Sequence, residues 1–205
     1  MSVLRRWWRA NRWWLAALPL AAAAVTASSA YNVKEFWYDA GLHHRVASAE
    51  LGEPTSVTEH YRDPLGATSR TFAVTLVSVA QFDTYLYPDG PAAPPSGVTA
   101  WSVLLDWKAE PDQVLSYCTI SLVDDQGRRY DADSGDVGDG CTPLGRSGAQ
   151  DPATKDQPRG QLAPGESPRP ATWSTAPEVL VPTGRAITQV LVSWGPPDYV
   201  QLSVP

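Results

Sequence analysis

Two cysteines have the spacing in this chain that most clearly indicates chemistry. Cys118 and Cys141 lie 23 positions apart, and the chain contains no other cysteine. An even pair in an exported protein is typical of a disulfide, and closing a loop of this length stabilises a fold by about 3 kcal/mol in the chain-entropy model. Metal binding and thiol catalysis compete with this interpretation, but the pair lacks a C-x-x-C spacing and a nearby histidine. We therefore predict a disulfide between Cys118 and Cys141.

An acidic stretch at residues 131–139 has side chains that could ligate a cation. Calcium takes about six or seven oxygen ligands, and Asp131-x-Asp133 begins like an EF-hand loop. The pattern then fails, because Gly135 stands where a third ligand belongs and Asp136 stands where the glycine belongs. We interpret the stretch as a solvated acidic loop. The sequence leaves open whether it binds calcium.

Catalytic constellations are not visible in the remaining residues. His43 and His44 are adjacent, so on a helix their rings would project about 100° apart, and His60 is distant in sequence. The chain has neither a G-x-S-x-G nucleophile elbow nor a glycine-rich phosphate loop. A catalytic acid–base pair would require two carboxylates that are distant in sequence to lie close together in the fold. We predict no enzymatic activity, no metal centre and no cofactor.

A cluster of aromatic residues is the candidate contact patch. Phe82, Tyr85 and Tyr87 stand beside a loop at 87–97 that holds four prolines. Exposed aromatic rings stack on sugars or fill pockets on proteins. The competing interpretation is that the three rings continue the preceding strand and are buried in the core.

Short strands must position these residues. Trp101, Val103, Leu105 and Trp107 alternate on one face of the clearest strand, and Asp, Gly and Pro clusters separate one strand from the next. Seven strands in about 150 residues predict an all-β, immunoglobulin-like antiparallel β-sandwich over residues 54–205. The predicted strands are 55–62, 71–79, 99–109, 116–123, 172–181, 186–194 and 199–204.

The loops between these strands are long. The 87–97 loop and a second proline- and glycine-rich segment at 145–170 are predicted to be extended or disordered connections.

The N-terminal region predicts that the domain after it lies outside the cytoplasm. Residues 1–12 carry four arginines, and residues 13–31 carry no charge and have aromatic residues near both ends. Basic residues before an apolar segment favour the cytoplasmic face. We therefore expect a cytoplasmic basic N-terminus, a single transmembrane anchor at 13–31, and an extracytoplasmic domain after it. A cleaved signal sequence is the alternative, since Ser28-Ser29-Ala30 offers small residues for cleavage.

A helical stalk is predicted over residues 32–53. Its apolar residues recur at helical spacing, and Gly52 and Pro54 end it. The stalk offers a surface for self-association, or it lies along the membrane surface. The residues of the apolar stripe are Val33, Phe36, Trp37, Ala40, Ala47 and Leu51.

Charge excludes one class of partner. Removing residues 1–30 leaves twelve basic and twenty-two acidic residues, a net charge near −10. Nucleic acid and anionic membrane surfaces attract basic proteins, so neither is expected to bind the exported part.

Several segments together resemble a known group of proteins. They are RRWWRANRWW at 5–14, FWYDAGLHHRVASAELGE at 36–53, EPDQVLSYCTISLVDDQGRRY at 110–130 and QVLVSWGPPDYVQLSVP at 189–205. The chain resembles uncharacterised membrane-anchored proteins of high-GC Gram-positive (actinobacterial) type. The resemblance implies a telokin-like, immunoglobulin-like ectodomain and brings no activity or site residue with it.

Two functions follow as hypotheses. The first is a non-enzymatic, single-pass cell-envelope protein whose sandwich binds another envelope protein. The alternative is a module that binds carbohydrate or cell-wall polymer through Phe82, Tyr85 and Tyr87. Fold class alone does not choose between them, because sandwiches serve both functions.

Overall fold

The computed structural model divides the chain into two units, Met1–Leu42 and His43–Pro205. The residues it describes are 3–33, 41–87, 90–115, 117–132, 140–143, 146, 148–162 and 164–205.

The described residues of the first unit include one helix, α1, at Val3–Val33. Alanine and leucine dominate its middle, and both are strong helix formers. Pro19 lies inside α1, where it removes one backbone hydrogen bond of the helix. Within the described part of the chain, no helix combines the length and apolarity needed to cross a bilayer. More than half of each of four indole side chains is exposed, those of Trp7, Trp8, Trp13 and Trp14.

The second unit is built from strands. In the described residues these are β1 (His44–Ala49), β2 (Thr55–Asp63), β3 (Gly66–Phe82), β4 (Tyr85–Tyr87), β5 (Gly90–Ala92), β6 (Val98–Lys108), β7 (Thr119–Asp124), β8 (Arg129–Asp131), β9 (Thr172–Thr175), β10 (Glu178–Pro182), β11 (Ile187–Gly195) and β12 (Asp198–Ser203).

The strands form two layers. One sheet has the order β1-β12-β11-β7-β8, and the other has the order β10-β6-β3-β2. Strand β9 also pairs with β6, so β9 and β10 share one edge of that strand, and the Pro177 carbonyl between them accepts a hydrogen bond from the Val103 N–H. Strands β4 and β5 form a separate ribbon. The predicted antiparallel two-layer sandwich is confirmed, with the parallel pairing of β1 and β12 as an exception.

Hydrophobic alternation explains why these segments are strands. Val103, Leu105 and Trp107 on β6 are buried, as predicted, and Trp101 packs against the core while remaining partly exposed. Each of the seven predicted strands matches an observed one, although 172–181 is divided at Pro177 into β9 and β10. The sequence did not predict β1, β4, β5 or β8.

The prediction of a helical stalk is wrong for most of the stalk residues that the structure describes. Residues 44–49 form β1, and the sandwich unit already begins at His43 rather than at residue 54. In β1 only Ala49 is buried, so its conformation is set by pairing with β12 and not by its own apolar pattern. The stalk residues 34–40 lie outside the described residues.

The predicted disulfide is present. Cys118 and Cys141 are bonded, with Cα atoms 6.0 Å apart, and both side chains are buried. The bond joins the residue before β7 to the described segment 140–143, directly below the indole of Trp173, which donates a 3.0 Å hydrogen bond to the Cys141 carbonyl.

The long segment before β9 is packed rather than extended. Within its described part, Ala149 and Arg169 are buried, and the Gln150 N–H donates to the Gln161 carbonyl at 3.0 Å. Two side-chain contacts hold the segment against the β2–β3 hairpin. The Tyr61 hydroxyl donates to Asp151 at 2.8 Å, and Arg159 forms a two-pronged ion pair with Asp63. The predicted extended or disordered connection is therefore wrong for these residues.

Candidate functional site

The predicted aromatic patch is not a three-ring surface in the described residues. Phe82 ends β3 and is 49% exposed, but Tyr85 is 7% exposed and belongs to the buried residues. The side chain of Tyr87 lies outside the described residues. Tyr85 is therefore buried, as the competing interpretation expected, but it lies on β4 and not in a continuation of β3, and Phe82 is left as the described exposed ring of the patch.

The acidic residues around the β7–β8 hairpin have protein partners. Asp124 is buried and accepts hydrogen bonds from the Tyr130 hydroxyl and from the backbone N–H groups of Gln126 and Arg128. These donors outweigh desolvation and hold the pKa of Asp124 below its ordinary value. In the described residues no group of three candidate ligands could hold a metal ion. Residues 133–139, which include most of the possible calcium loop, lie outside them.

The three histidines lie on or directly before two strands, β1 and β2. His44 begins β1, and its Nδ1 lies 2.7 Å from Oδ1 of Asp198 on β12, whereas His60 is exposed on β2. His43 precedes β1 and donates its backbone N–H to the Pro197 carbonyl. In the described residues no histidine belongs to a group of three or more candidate metal ligands.

Tyr117 is the residue whose backbone and exposure depart most from the rest of the sandwich. Its φ is 65°, and it is the one non-glycine with positive φ among the described residues. An ordinary side chain in the left-handed region costs about 1–2 kcal/mol, and such residues concentrate at functional sites. The side chain is nevertheless 82% exposed. The next residue is Cys118, whose disulfide fixes this part of the chain.

An aromatic cluster lies beneath this end of the sandwich, formed by Phe72, Trp107, Trp173 and Trp194. The rings of Trp107 and Trp173 are stacked with centroids 6.1 Å apart, and Phe72 lies 4.6 Å from Trp194. The three indole N–H groups donate to Thr175 Oγ1, the Cys141 carbonyl and the Leu115 carbonyl. Because the indole donors are satisfied inside the protein, the cluster is a rigid support and not an open binding surface.

A buried ion pair borders this cluster on one side. Arg70 on β3 lies between the rings of Tyr61 and Trp194, and its Nε is 3.2 Å from Oε2 of Glu59 on β2. The two groups are close enough for an ion pair but are not aligned as a hydrogen bond. Burial raises the pKa of Glu59 more than Arg70 lowers it, and the charge of Asp198 raises it further. Burial and the hydrogen bond to Asp151 likewise raise the pKa of Tyr61.

A second buried arginine borders the cluster on the other side. The Arg169 guanidinium stacks on Trp173 at 3.9 Å and donates to the carbonyls of Glu110 and Pro170 at 2.7 and 3.1 Å. Burial lowers the pKa of Arg169 to about 10, against a smaller opposing effect of Asp112. This arginine binds the end of the long segment to the loop that follows β6.

A small cleft opens between the sheets beneath β1, and we name it the β1 cleft. The volume that it leaves for a water-sized sphere is about 10 Å³, far below the roughly 300 Å³ at which small-molecule sites begin. Its polar groups already have partners, since Glu59 pairs with Arg70 and Asp198 contacts His44. The cleft is therefore no substrate pocket. Its lining residues are Val46, Val57, Glu59, Phe72, Val192, Ser193, Trp194, Asp198, Tyr199 and Val200.

Known structures resemble this fold only distantly. The secreted protein MPT63 of Mycobacterium tuberculosis gives a TM-score of 0.45 at 11% identity, over 77% of this chain and 96% of that one. An uncharacterized beta-sandwich protein from Clostridium difficile 630 gives 0.36 at 10% identity, over 80% and 96%. A conserved hypothetical protein from Bacillus anthracis gives 0.31 at 15% identity, over 69% and 89%. Because these TM-scores are below 0.5, the likenesses carry no argument about function.

No protein-family model matches the chain, and no curated protein matches it.

Proposed function

We propose that this chain is a non-enzymatic protein of the cell envelope whose immunoglobulin-like β-sandwich binds another protein outside the cytoplasm. The observation that carries the proposal is Tyr117, an exposed ring held in a left-handed backbone conformation. Tyrosine is enriched among the residues that dominate protein–protein binding energy. A rigid loop also loses little conformational entropy on binding. On either side of Tyr117 the chain is attached to the sandwich, because the Leu115 carbonyl accepts the Trp194 N–H and Cys118 is bonded to Cys141.

Two further features support a location outside the cytoplasm. A disulfide is typical of oxidising compartments, and the arginine-rich start before an apolar segment favours export of everything that follows. We propose that residues 13–31 either anchor the chain in the membrane as a single pass or act as a cleaved signal. The exported part is acidic, with a net charge near −10, so the partner is expected to present a basic surface.

Carbohydrate or wall-polymer binding has weaker support. Of its three rings, Phe82 is exposed, Tyr85 is buried and cannot stack on a sugar ring, and the side chain of Tyr87 lies outside the described residues. Phe82 pairs with Ala100 at one end of β6, whereas Tyr117 follows the other end of β6. The two surfaces can therefore be tested independently.

Photo-crosslinking of the full chain in the cells that produce it tests the proposal. A benzophenone amino acid replaces Tyr117 in one variant and Phe82 in the matched control. We expect a protein adduct from position 117 and none from position 82. A wall-glycan adduct from position 82, with none from 117, would contradict the proposal and favour the alternative.

Affinity measurements with the captured protein make the test specific. Tyr117→Asn removes the ring but tolerates the left-handed backbone, and Tyr117→Phe keeps the ring. We expect Tyr117→Asn to weaken binding by roughly 30-fold, the effect of a typical hot-spot residue, and Tyr117→Phe to bind within a few-fold of the unaltered chain. Equal affinities for all three would show that Tyr117 is not the contact.

A further inference from the structure

The attachment of β1 differs from that of the other strands of its sheet. Of its side chains only Ala49 is buried, and its pairing with β12 is parallel with an irregularity between Arg45 and Ala47. Parallel pairing is somewhat less stable per residue than antiparallel pairing. Its polar side-chain contacts lie at the surface, where His44 meets Asp198 and Arg45 donates to Gln201, and its contacts with the core are those of Ala47 and Ala49. Departure of β1 would therefore take two small side chains, those of Ala47 and Ala49, away from the core.

The surface beneath β1 must nevertheless be covered. Loss of β1 would leave the backbone groups along one edge of β12 unpaired and would open the β1 cleft, whose walls include the rings of Phe72 and Trp194. An unpaired strand edge beside apolar side chains is a template for another strand. The chain shows which strand has the matching register and side chains, because β1 itself occupies the site.

The connection from β1 to β2 can serve as a hinge. Residues 50–54 are all exposed. Their turn is held by hydrogen bonds from the Glu53 N–H to the Glu50 carbonyl, from the Gly52 N–H to the Leu76 carbonyl and from the Glu50 N–H to the Glu53 carboxylate. Pro54 favours an extended conformation for the residue before it. Straightening these five residues would carry β1 away from its own β12.

We propose that β1 is exchanged between two copies of this chain, so that β1 of each copy pairs with β12 of the other. The contacts made by β1 are the same within one chain and between two chains. Only the hinge and the protein concentration then set the balance, which is why strand exchange is a low-cost route to dimers. The proposal does not depend on Tyr117 or on any partner protein.

Disulfide trapping tests the exchange. Ser48 and Gln201 face each other in the β1–β12 register, and neither is buried. The full chain carrying Ser48→Cys and Gln201→Cys is oxidised and run on a non-reducing gel. We expect a covalent dimer whose share rises with protein concentration, in addition to crosslinked monomer. A dimer joined through any other face would give only crosslinked monomer.

A matched pair and a hinge variant complete the test. Gln189→Cys with Ser203→Cys joins β11 to β12 within one hairpin, and it must give crosslinked monomer only. Deleting Leu51 and Gly52 shortens the hinge and should raise the dimer share for the Ser48/Gln201 pair. The same deletion with the Gln189/Ser203 pair reports whether the sandwich is still folded. If the Ser48/Gln201 pair gives monomer alone, with and without the deletion, the exchange does not occur.

Discussion

Arg70 and Arg169 are both buried and both lie 3.9 Å above an aromatic ring, yet their charges are balanced in different ways. Arg70 faces the carboxylate of Glu59, whereas the described contacts of Arg169 are with backbone carbonyls and with Trp173. Burial accordingly shifts the pKa of a different group in each case. It lowers the pKa of Arg169 itself, whereas beside Arg70 it raises the pKa of the Glu59 carboxyl.

This difference indicates what each arginine does. Arg70 lies within the sheet on β3 and offsets a charge on β2, so its removal leaves a carboxylate without a cation. Arg169 lies outside the strands and uses its planar, forked donor geometry to join two loop carbonyls, so its removal leaves neutral acceptors. An unpaired buried charge costs more than an unpaired carbonyl.

The largest expected effect is that of Arg70→Met. Methionine keeps most of the apolar volume but leaves Glu59 unpaired, so we expect a loss of about 4 kcal/mol in the free energy of unfolding. Arg169→Met should cost about 2 kcal/mol, because hydrogen bonds to neutral carbonyls and the stacking on Trp173 are lost but no charge is left unpaired. Urea unfolding of the two variants with the disulfide intact measures both values.

A double variant separates lost charge pairing from lost packing. In Glu59→Gln/Arg70→Met no carboxylate is left unpaired, so part of the stability lost in Arg70→Met should return. The comparison between the two arginines would be wrong if Arg70→Met cost no more than Arg169→Met, or if the second substitution restored nothing.

The sequence contains a signal for only one of these arginines. In β3 the residues Arg70, Phe72, Val74 and Leu76 alternate on one face, and all four are buried. The same alternation that predicted the strand therefore places Arg70 in the core, although arginine in a strand is ordinarily taken as exposed. Arg169 stands between two prolines outside any periodic element, so no pattern predicts its burial.

The same criterion, whether a periodic pattern reports burial, separates the strands that could be predicted from those that could not. Strands with a buried face, such as β6, were predictable because side-chain alternation reports burial. Strand β1 was not, because five of its six side chains are not buried and its pairing partner β12 lies about 150 positions away. The disulfide could be predicted from the number of cysteines and from the expected location of the domain outside the cytoplasm. The left-handed backbone of Tyr117 could not be predicted, since tyrosine rarely adopts that conformation.

Gly148 tests how tightly the Arg169 side chain is enclosed. A Cβ added at Gly148 would lie 3.2 Å from Cβ of Arg169, and the residue has φ of +76°. Gly127 is the matched control, because its φ is +74° but an added Cβ would have no atom within 4 Å. Both alanine substitutions incur the backbone cost of about 1 kcal/mol. We expect Gly148→Ala to cost about 1 kcal/mol more, from crowding against Arg169. Equal losses in urea unfolding would show that the loop can move aside.

The smallest expected effect is a pH dependence that belongs to Glu59. Burial raises the pKa of this carboxyl in the folded state, so between its unfolded and folded pKa values the folded chain binds more protons than the unfolded chain. Stability from Glu59 is therefore greatest below its ordinary pKa and is lost as pH rises through the raised one. Glu59→Gln does not titrate and should lack this loss. The unfolding midpoints of both chains, followed from about pH 4 to about pH 8, should diverge with rising pH, with the unaltered chain falling relative to the variant. Parallel curves would show that Arg70 offsets the burial of Glu59 completely, and the two arginines would then differ less than their surroundings indicate.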